Sequence, residues 1–217
     1  MKAGSLALYL ASGSSARRAL LQAAEIPFTV IGQHADESLC SLAQPLLSLV
    51  QEIAQLKMGA LDFPSGAKAG EEALFLTADT MIWHENSGKF FAKPRDRQQA
   101  LAMLRASRSG TLVGSGFCLA RARFDGVSWQ RGEQLLGYDE GFCRIDIPEG
   151  WLDWYLERVP FTAVAGGITI EGLGEPFVEE IRGSYSAILG LPMVKLRQAL
   201  EDFTFYSPDN FESPCPN

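Results

Sequence analysis

Residues Leu8 to Leu21 read LYLASGSSARRALL, and the fold turns on how this stretch is parsed. Leu6 to Ala11 is an apolar run of strand length, Ser-Gly-Ser is a small-residue turn, and Ser14 or Ser15 can cap a helix running to about Glu25, where Pro27 stops it. Arg17 and Arg18 then fall in the first helical turn. The amino end of a helix carries partial positive charge and N–H groups without partners, so acids belong there and two arginines raise the potential further. An anion is expected nearby. The alternatives are that both arginines are solvated, or that one pairs with Glu25.

Outward from this unit the chain re-extends through FTVIG. From Leu42 to about Phe63 apolar residues recur at helical spacing (Leu46, Leu49, Val50, Ile53, Leu56, Ala60), which predicts an amphipathic helix carrying Lys57. ALFLTADTMIW follows as a strand, then a hairpin signal at ENSGK and a second strand, KFFA. Asp96 can cap a helix over residues 97 to 106. Two β-prone runs, Thr111 to Phe124 and Val127 to about Ile145, meet at Asp125-Gly126, a two-residue turn signal. Pro148 opens a helix with Trp151, Trp154 and Tyr155, read as core in preference to a base-stacking platform. A strand at Gly167 to Ile170 and a last helix beyond Pro192 complete the order. Strands and helices alternate with two hairpins among them, so the expected class is α/β, a mixed twisted sheet flanked by helices. Residues 1–205 read as one domain, and 206–217 as a frayed tail.

The chain has 217 residues, enough to bury about 70% of the surface its unfolded form exposes. Cys40, Cys118, Cys143 and Cys215 form no C-x-x-C pair, and with only His34 and His84 no zinc site can be assembled. Reduced thiols and a cytoplasmic setting are the plain reading. Lys2 with LALYLA is too short and too soon followed by a double arginine for a signal peptide, and no apolar run approaches the ~20 residues of a membrane helix. A net charge of −7 argues against a nucleic-acid polymer as partner, while leaving room for a small anion in a local basic pocket.

Four constellations could carry chemistry. In LASGSSARR, backbone N–H groups and the hydroxyls of Ser12 and Ser14 converge at a strand-to-helix turn, an arrangement that cradles phosphate, and Arg17 and Arg18 add planar donors. In TADT, Asp79 inside an apolar strand must leave the core or meet a cation, and it can hold a divalent metal, orient a water, or simply cap a turn. In FFAKPRD, Lys93 projects from a strand end before Pro94, as a ligand cation or a solvated one. Lys57 faces either the sheet or water. Asp36 and Glu37 form an acidic loop pair. In AGGITIEGLGEP, Gly166, Gly167, Gly172 and Gly174 bracket a segment carrying Glu171, so that a ligand can approach the backbone while one carboxylate reads it.

In order, LASGSSARR, ADT, AKPRD, IEGLG, GSY and LGLP resemble the motifs of the Maf family of nucleoside triphosphate pyrophosphatases over about residues 6 to 200. The resemblance implies an ITPase/Maf-like fold of two lobes with a central cleft. It also implies hydrolysis of a nucleoside triphosphate between its α and β phosphates to monophosphate and pyrophosphate, a divalent cation such as Mg2+ or Mn2+, and a homodimer. By position, Asp79 matches the catalytic carboxylate; Ser12, Arg17, Lys57 and Lys93 match phosphate-site residues; and Glu37 stands where the family has an acid, a second metal ligand beside Asp79. Ser15 replaces the usual proline and Thr111 a common histidine. The base-selecting trio is mixed: Ala16 matches neither subgroup, Thr80 resembles the dTTP/UTP group, and Glu171 the 7-methyl-GTP group. A carboxylate only accepts, which favours a guanine-type edge with N–H donors. The competing readings are a nucleotidyltransferase, which needs a second acceptor substrate, and a nucleotide-sensing module without turnover.

Overall fold

Leu8 and Leu10 are buried on one face of a short strand, and this alternation docks the start of the chain. In the computed structural model, which describes residues 6–206, that strand is β1 (Ala7–Leu10) and it leads into α1 (Ser15–Ala23) as the sequence predicts. Ser14 is the cap, its hydroxyl accepting from the Arg17 backbone N–H at 3.4 Å. β2 (Thr29–Val30), α2 (Leu46–Gly59) and the long β3 (Glu72–His84) follow. Beyond them come β4 (Lys89–Phe91), α3 (Arg97–Ala106), β5 (Thr111–Phe124), β6 (Trp129–Ile145), α4 (Leu152–Leu156), β7 (Val178–Gly183), α5 (Tyr185–Leu189) and α6 (Met193–Asp202).

One mixed sheet results, ordered β2-β1-β3-β5-β6-β7, with β4 also on β3. β1 pairs parallel with β2 and β3, and every other pairing is antiparallel. Strand alternation sorts β3 cleanly. Leu74, Leu76 and Ala78 pack with Leu21 of α1 and with Leu196 and Leu200 of α6, while Ala73 and Phe75 pack with Ala54 and Met58 of α2. A second core, around Ala100, Leu104, Leu152, Tyr155 and Leu156, lies under β6 and the helices that follow.

β5 covers one edge of β3 from end to end. The other edge is shared: β1 pairs only as far as Leu76, and β4 resumes at Ile82. Residues 77 to 81 therefore have no strand partner on that edge and face a gap between β1 and β4. The turn after β1 enters this gap from one end, and the chain leaving β4 enters from the other.

Three local expectations are corrected. Helix α2 begins at Leu46 and not at Leu42; Pro45 occupies its cap position, and Leu39 and Leu42 are exposed. Gly167 to Ile170 is not a strand, because Gly166 and Gly167 take φ of +67° and +70° and fold the segment into turns; the sheet is completed instead by Val178–Gly183. The β5–β6 connection is a four-residue loop, Asp125 N–H donating to Ser128 C=O at 3.1 Å while its carboxylate accepts from Val127 and Ser128 N–H. Tyr155 is core, as expected, but Trp151 is half exposed. The tail beyond Tyr206, with Cys215, lies outside the described residues.

Candidate active site

Asp79 and Thr80 are consecutive on β3 and therefore point to opposite faces of the sheet, and each face brings its own cation. On the α2 side, Thr77 donates to the Ala54 carbonyl at 2.6 Å and fixes the helix against the strand. Gly116, opposite Asp79 on β5, lets α2 come close: a Cβ there would lie 2.9 Å from Val50 Cγ2 and 3.1 Å from the Gln51 nitrogen. Nearly two turns beyond Val50, Lys57 reaches β3. Its Nζ lies 2.7 Å from Asp79 Oδ1 and 2.8 Å from Glu37 Oε1, which answers the open question of where it faces. Lys57 and Asp79 are both buried, whereas Glu37 is half exposed on the turn capped by Asp36.

Asp79 Oδ2 is buried and has no hydrogen-bond partner. Burial pushes the Asp79 pKa above the usual carboxylate range; Lys57 and Arg17 oppose the shift, and Glu37 adds to it. A buried, under-satisfied carboxylate held by a lysine is costly, and such cost is commonly found where a ligand or a proton is to be received.

On the opposite face, Arg17 is buried with all three guanidinium nitrogens bonded. Nε donates to the Gly190 carbonyl at 2.8 Å, Nη1 to Ser12 Oγ at 3.0 Å and Nη2 to Thr80 Oγ1 at 3.0 Å. Of the five guanidinium N–H groups two remain, one on each terminal nitrogen. The pairing with Glu25 is excluded, since Glu25 lies exposed beyond the helix end. Burial lowers the Arg17 pKa, while Asp79 and Glu37 raise it by their charge, so the two halves of the site feel each other. The Ser14 N–H points to Ser12 Oγ at 3.3 Å, closing the turn around the arginine.

The remaining candidates stand further out. Arg18 is half buried and Lys93 exposed, and neither side chain makes a hydrogen bond or ion pair among the described residues. Lys93 follows β4 at the far end of the gap and does not touch Asp79. Ala16, on α1, is partly exposed. Thr80 is partly exposed, and its hydroxyl accepts from Arg17 and lies 2.7 Å from Ser115 Oγ. Glu171 is exposed on the turn after residue 170, and its charge adds to the larger effect of burial in raising the Tyr185 pKa. Ser115 and Gly116 are not among the residues singled out from the sequence, and Gly190 enters there only within the LGLP motif. The G-S-G interruption in an otherwise bulky strand run was the available signal.

No group of three or more His, Cys, Asp or Glu residues able to hold a metal occurs among the described residues. The donor set is thus limited to Asp79, through its unpartnered Oδ2, and Glu37, on the other side of one ammonium. One or two carboxylates completed by phosphate oxygens and water is the usual provision for Mg2+, so these residues fit such a cation.

A family model described as Maf-like protein matches residues 7–203. A dTTP/UTP pyrophosphatase of Syntrophus aciditrophicus is 33% identical over 198 residues, covering 90% of this chain and 89% of the relative. A nucleoside triphosphate pyrophosphatase of Salinispora tropica is 34% identical over 199 residues, covering 91% of this chain and 84% of the relative. A dTTP/UTP pyrophosphatase of Bacillus cytotoxicus is 29% identical over 195 residues, covering 89% and 94%.

Proposed function

The chain belongs to the Maf-like protein family, and on that premise we propose that it is a nucleoside triphosphate pyrophosphatase, a hydrolase that splits a nucleoside triphosphate into monophosphate and pyrophosphate. The observation that carries the reading is the buried carboxylate Asp79, with one oxygen on Lys57 and the other unpartnered, while the adjacent residue Thr80 accepts from the guanidinium of Arg17 on the other face of the sheet.

In this reading the triphosphate lies in the gap along β3. The two uncommitted N–H groups of Arg17 and the turn of Ser12 to Ser14 receive phosphate oxygens, and Arg18 and Lys93 supply further positive charge from either end of the gap. Asp79 orients the attacking water and takes its proton; its raised pKa suits a base working near neutral pH. The water oxygen bonds to phosphorus as the bridging bond between the α and β phosphates breaks, and the bridging electrons leave with the departing phosphate. Lys57 holds Asp79 in place and balances its charge before the proton moves; afterwards Glu37 remains the partner of the ammonium. A divalent cation held by Asp79 Oδ2 and Glu37 would supply charge neutralisation on the polyphosphate. Glu171 and Ala16 are the positions assigned to base choice, and the accept-only carboxylate favours a guanine-type edge. Cytoplasmic location and a homodimer belong to the same reading.

The test is a screen of natural and modified nucleoside triphosphates, GTP and 7-methyl-GTP against UTP and dTTP among them, with Mg2+ or Mn2+, assayed for monophosphate and pyrophosphate. Equimolar products that disappear with Asp79→Asn support the reading. Pyrophosphate formed only when an acceptor is added points to nucleotidyl transfer instead, and binding without monophosphate to a sensing module.

A further inference from the structure

We infer that Ser115 is a positioning residue for the phosphate-binding face of Arg17, acting through Thr80; the inference rests on the assignment of Arg17 to the phosphate site. Ser115 sits on β5 directly opposite Thr80 of β3 and is fully buried. Its Oγ lies 2.7 Å from Thr80 Oγ1 and 2.6 Å from the carbonyl of Ala187 in α5.

The chemistry of the groups fixes the direction of every hydrogen in this chain. A carbonyl only accepts, so the single hydroxyl hydrogen of Ser115 goes to Ala187. Ser115 must then accept from Thr80, whose own hydrogen is directed away from the arginine. The lone pairs of Thr80 Oγ1 are left for Arg17 Nη2, 3.0 Å away, while Nε is held by Gly190 at 2.8 Å. The guanidinium is thereby gripped along one side, and its uncommitted N–H groups keep one orientation. Gly190 closes α5, with φ of +119°, and a Cβ there would come within 3.4 Å of Thr80 Oγ1.

Loss of the Ser115 hydroxyl need not orphan its partners. The Ala187 carbonyl also accepts from Gly190 N–H at 3.0 Å, and Thr80 has the Gly190 carbonyl within 3.3 Å. What the change removes is the directional constraint: a Thr80 hydroxyl turned to Gly190 shares the acceptor that Arg17 Nε uses. The consequence falls on the arginine and not on the fold.

The experiment is a double-mutant cycle between Ser115→Ala and Arg17→Ala, read as Kd for inorganic pyrophosphate, a probe that carries phosphates without a base, with KM and kcat for the nucleotide hydrolysed fastest. Ser115→Ala is expected to raise Kd and KM about tenfold in the wild-type background, to change kcat less than about twofold, and to have no effect on Kd once Arg17 is alanine. Ser115→Cys fills the same space with a poor hydrogen-bonding thiol, and gives the same reading should the alanine variant not fold. Equal loss in both backgrounds, or none in either, overturns the positioning role alone. An Arg17→Ala protein that binds pyrophosphate like the wild type overturns the phosphate-site assignment and this inference with it.

Discussion

Lys57 Nζ stands 2.7 Å from Asp79 Oδ1 in a pair that is buried on both sides, and with the Thr77–Ala54 hydrogen bond it ties α2 to β3. Removing the lysine leaves the buried Asp79 carboxylate uncompensated in low dielectric, which costs about 3 to 5 kcal/mol, whereas removing the carboxylate leaves Lys57 its second partner, Glu37. Lys57→Met is therefore expected to lower stability by about that amount at pH 7 in urea denaturation. It should also push the Asp79 pKa further up, so the penalty shrinks as the pH falls and Asp79 protonates. A variant as stable as the wild type at pH 7 would remove the pair from its structural role.

Asp79→Asn separates stability from activity. Because burial raises the pKa of Asp79 in the folded protein, ionising it costs stability: the cost appears as the pH rises above the unfolded-state value, about 4, and is complete once the pH exceeds the folded value. The asparagine variant is expected to melt at a higher temperature than the wild type at pH 7.5, and at about the same temperature below pH 4. Turnover should fall about 10³-fold or more in the same protein. In the wild type, kcat/KM should decline on the acid side through a value above the ordinary carboxylate range. Thermal melts across this pH series, alongside the rate profile, decide it.

Glu37 is half exposed, and its ion pair with Lys57 is expected to contribute less than about 1 kcal/mol to folding. In the proposed reading its weight lies in the cation. Glu37→Gln should leave the melting temperature nearly unchanged and raise the Mg2+ concentration for half-maximal activity about tenfold, the size of one charge-assisted contact. Chelation with EDTA should abolish turnover in both proteins, and excess Mg2+ should restore it. Unchanged Mg2+ dependence would remove Glu37 from the cation site.

The local features of the site were legible because they depend on neighbours in sequence. The strand–turn–helix of Leu8 to Leu21, the cap at Ser14 and the unease of Asp79 in an apolar strand are all short-range facts. The conflict posed by Arg17 was also visible, as a cation in a helix turn that favours anions. Its resolution was not, since Gly190 lies 173 positions away and Thr80 lies 63. The facing of Lys57 depended on how closely α2 approaches β5, which Gly116 permits and helical periodicity does not report. The strand expected at Gly167 to Ile170 failed for a different reason. Ile168 and Ile170 have strand propensity, but the positive φ of Gly166 and Gly167 turns the chain away from the sheet.

The turn that presents Glu171 is built around Gly174, and this gives the sharpest test of base choice. A Cβ at Gly174 would fall 1.7 Å from the Thr169 carbonyl oxygen, an overlap that no rotamer relieves because the obstacle is backbone. Thr169 is itself anchored: its N–H donates to the buried Tyr155 hydroxyl at 3.0 Å, and its Oγ1 donates to the Glu171 carbonyl at 3.0 Å. Gly174→Ala must therefore move the turn and not Thr169, displacing Glu171 while Lys57, Asp79 and Arg17 keep their partners. The expected outcome is a loss of about 1 to 3 kcal/mol in stability and a compressed ranking of nucleotides. The kcat/KM ratio between the best and worst bases should fall about tenfold or more, and the Kd for pyrophosphate should stay unchanged. An unaltered base ranking in a folded Gly174→Ala protein would show that Glu171 does not read the base.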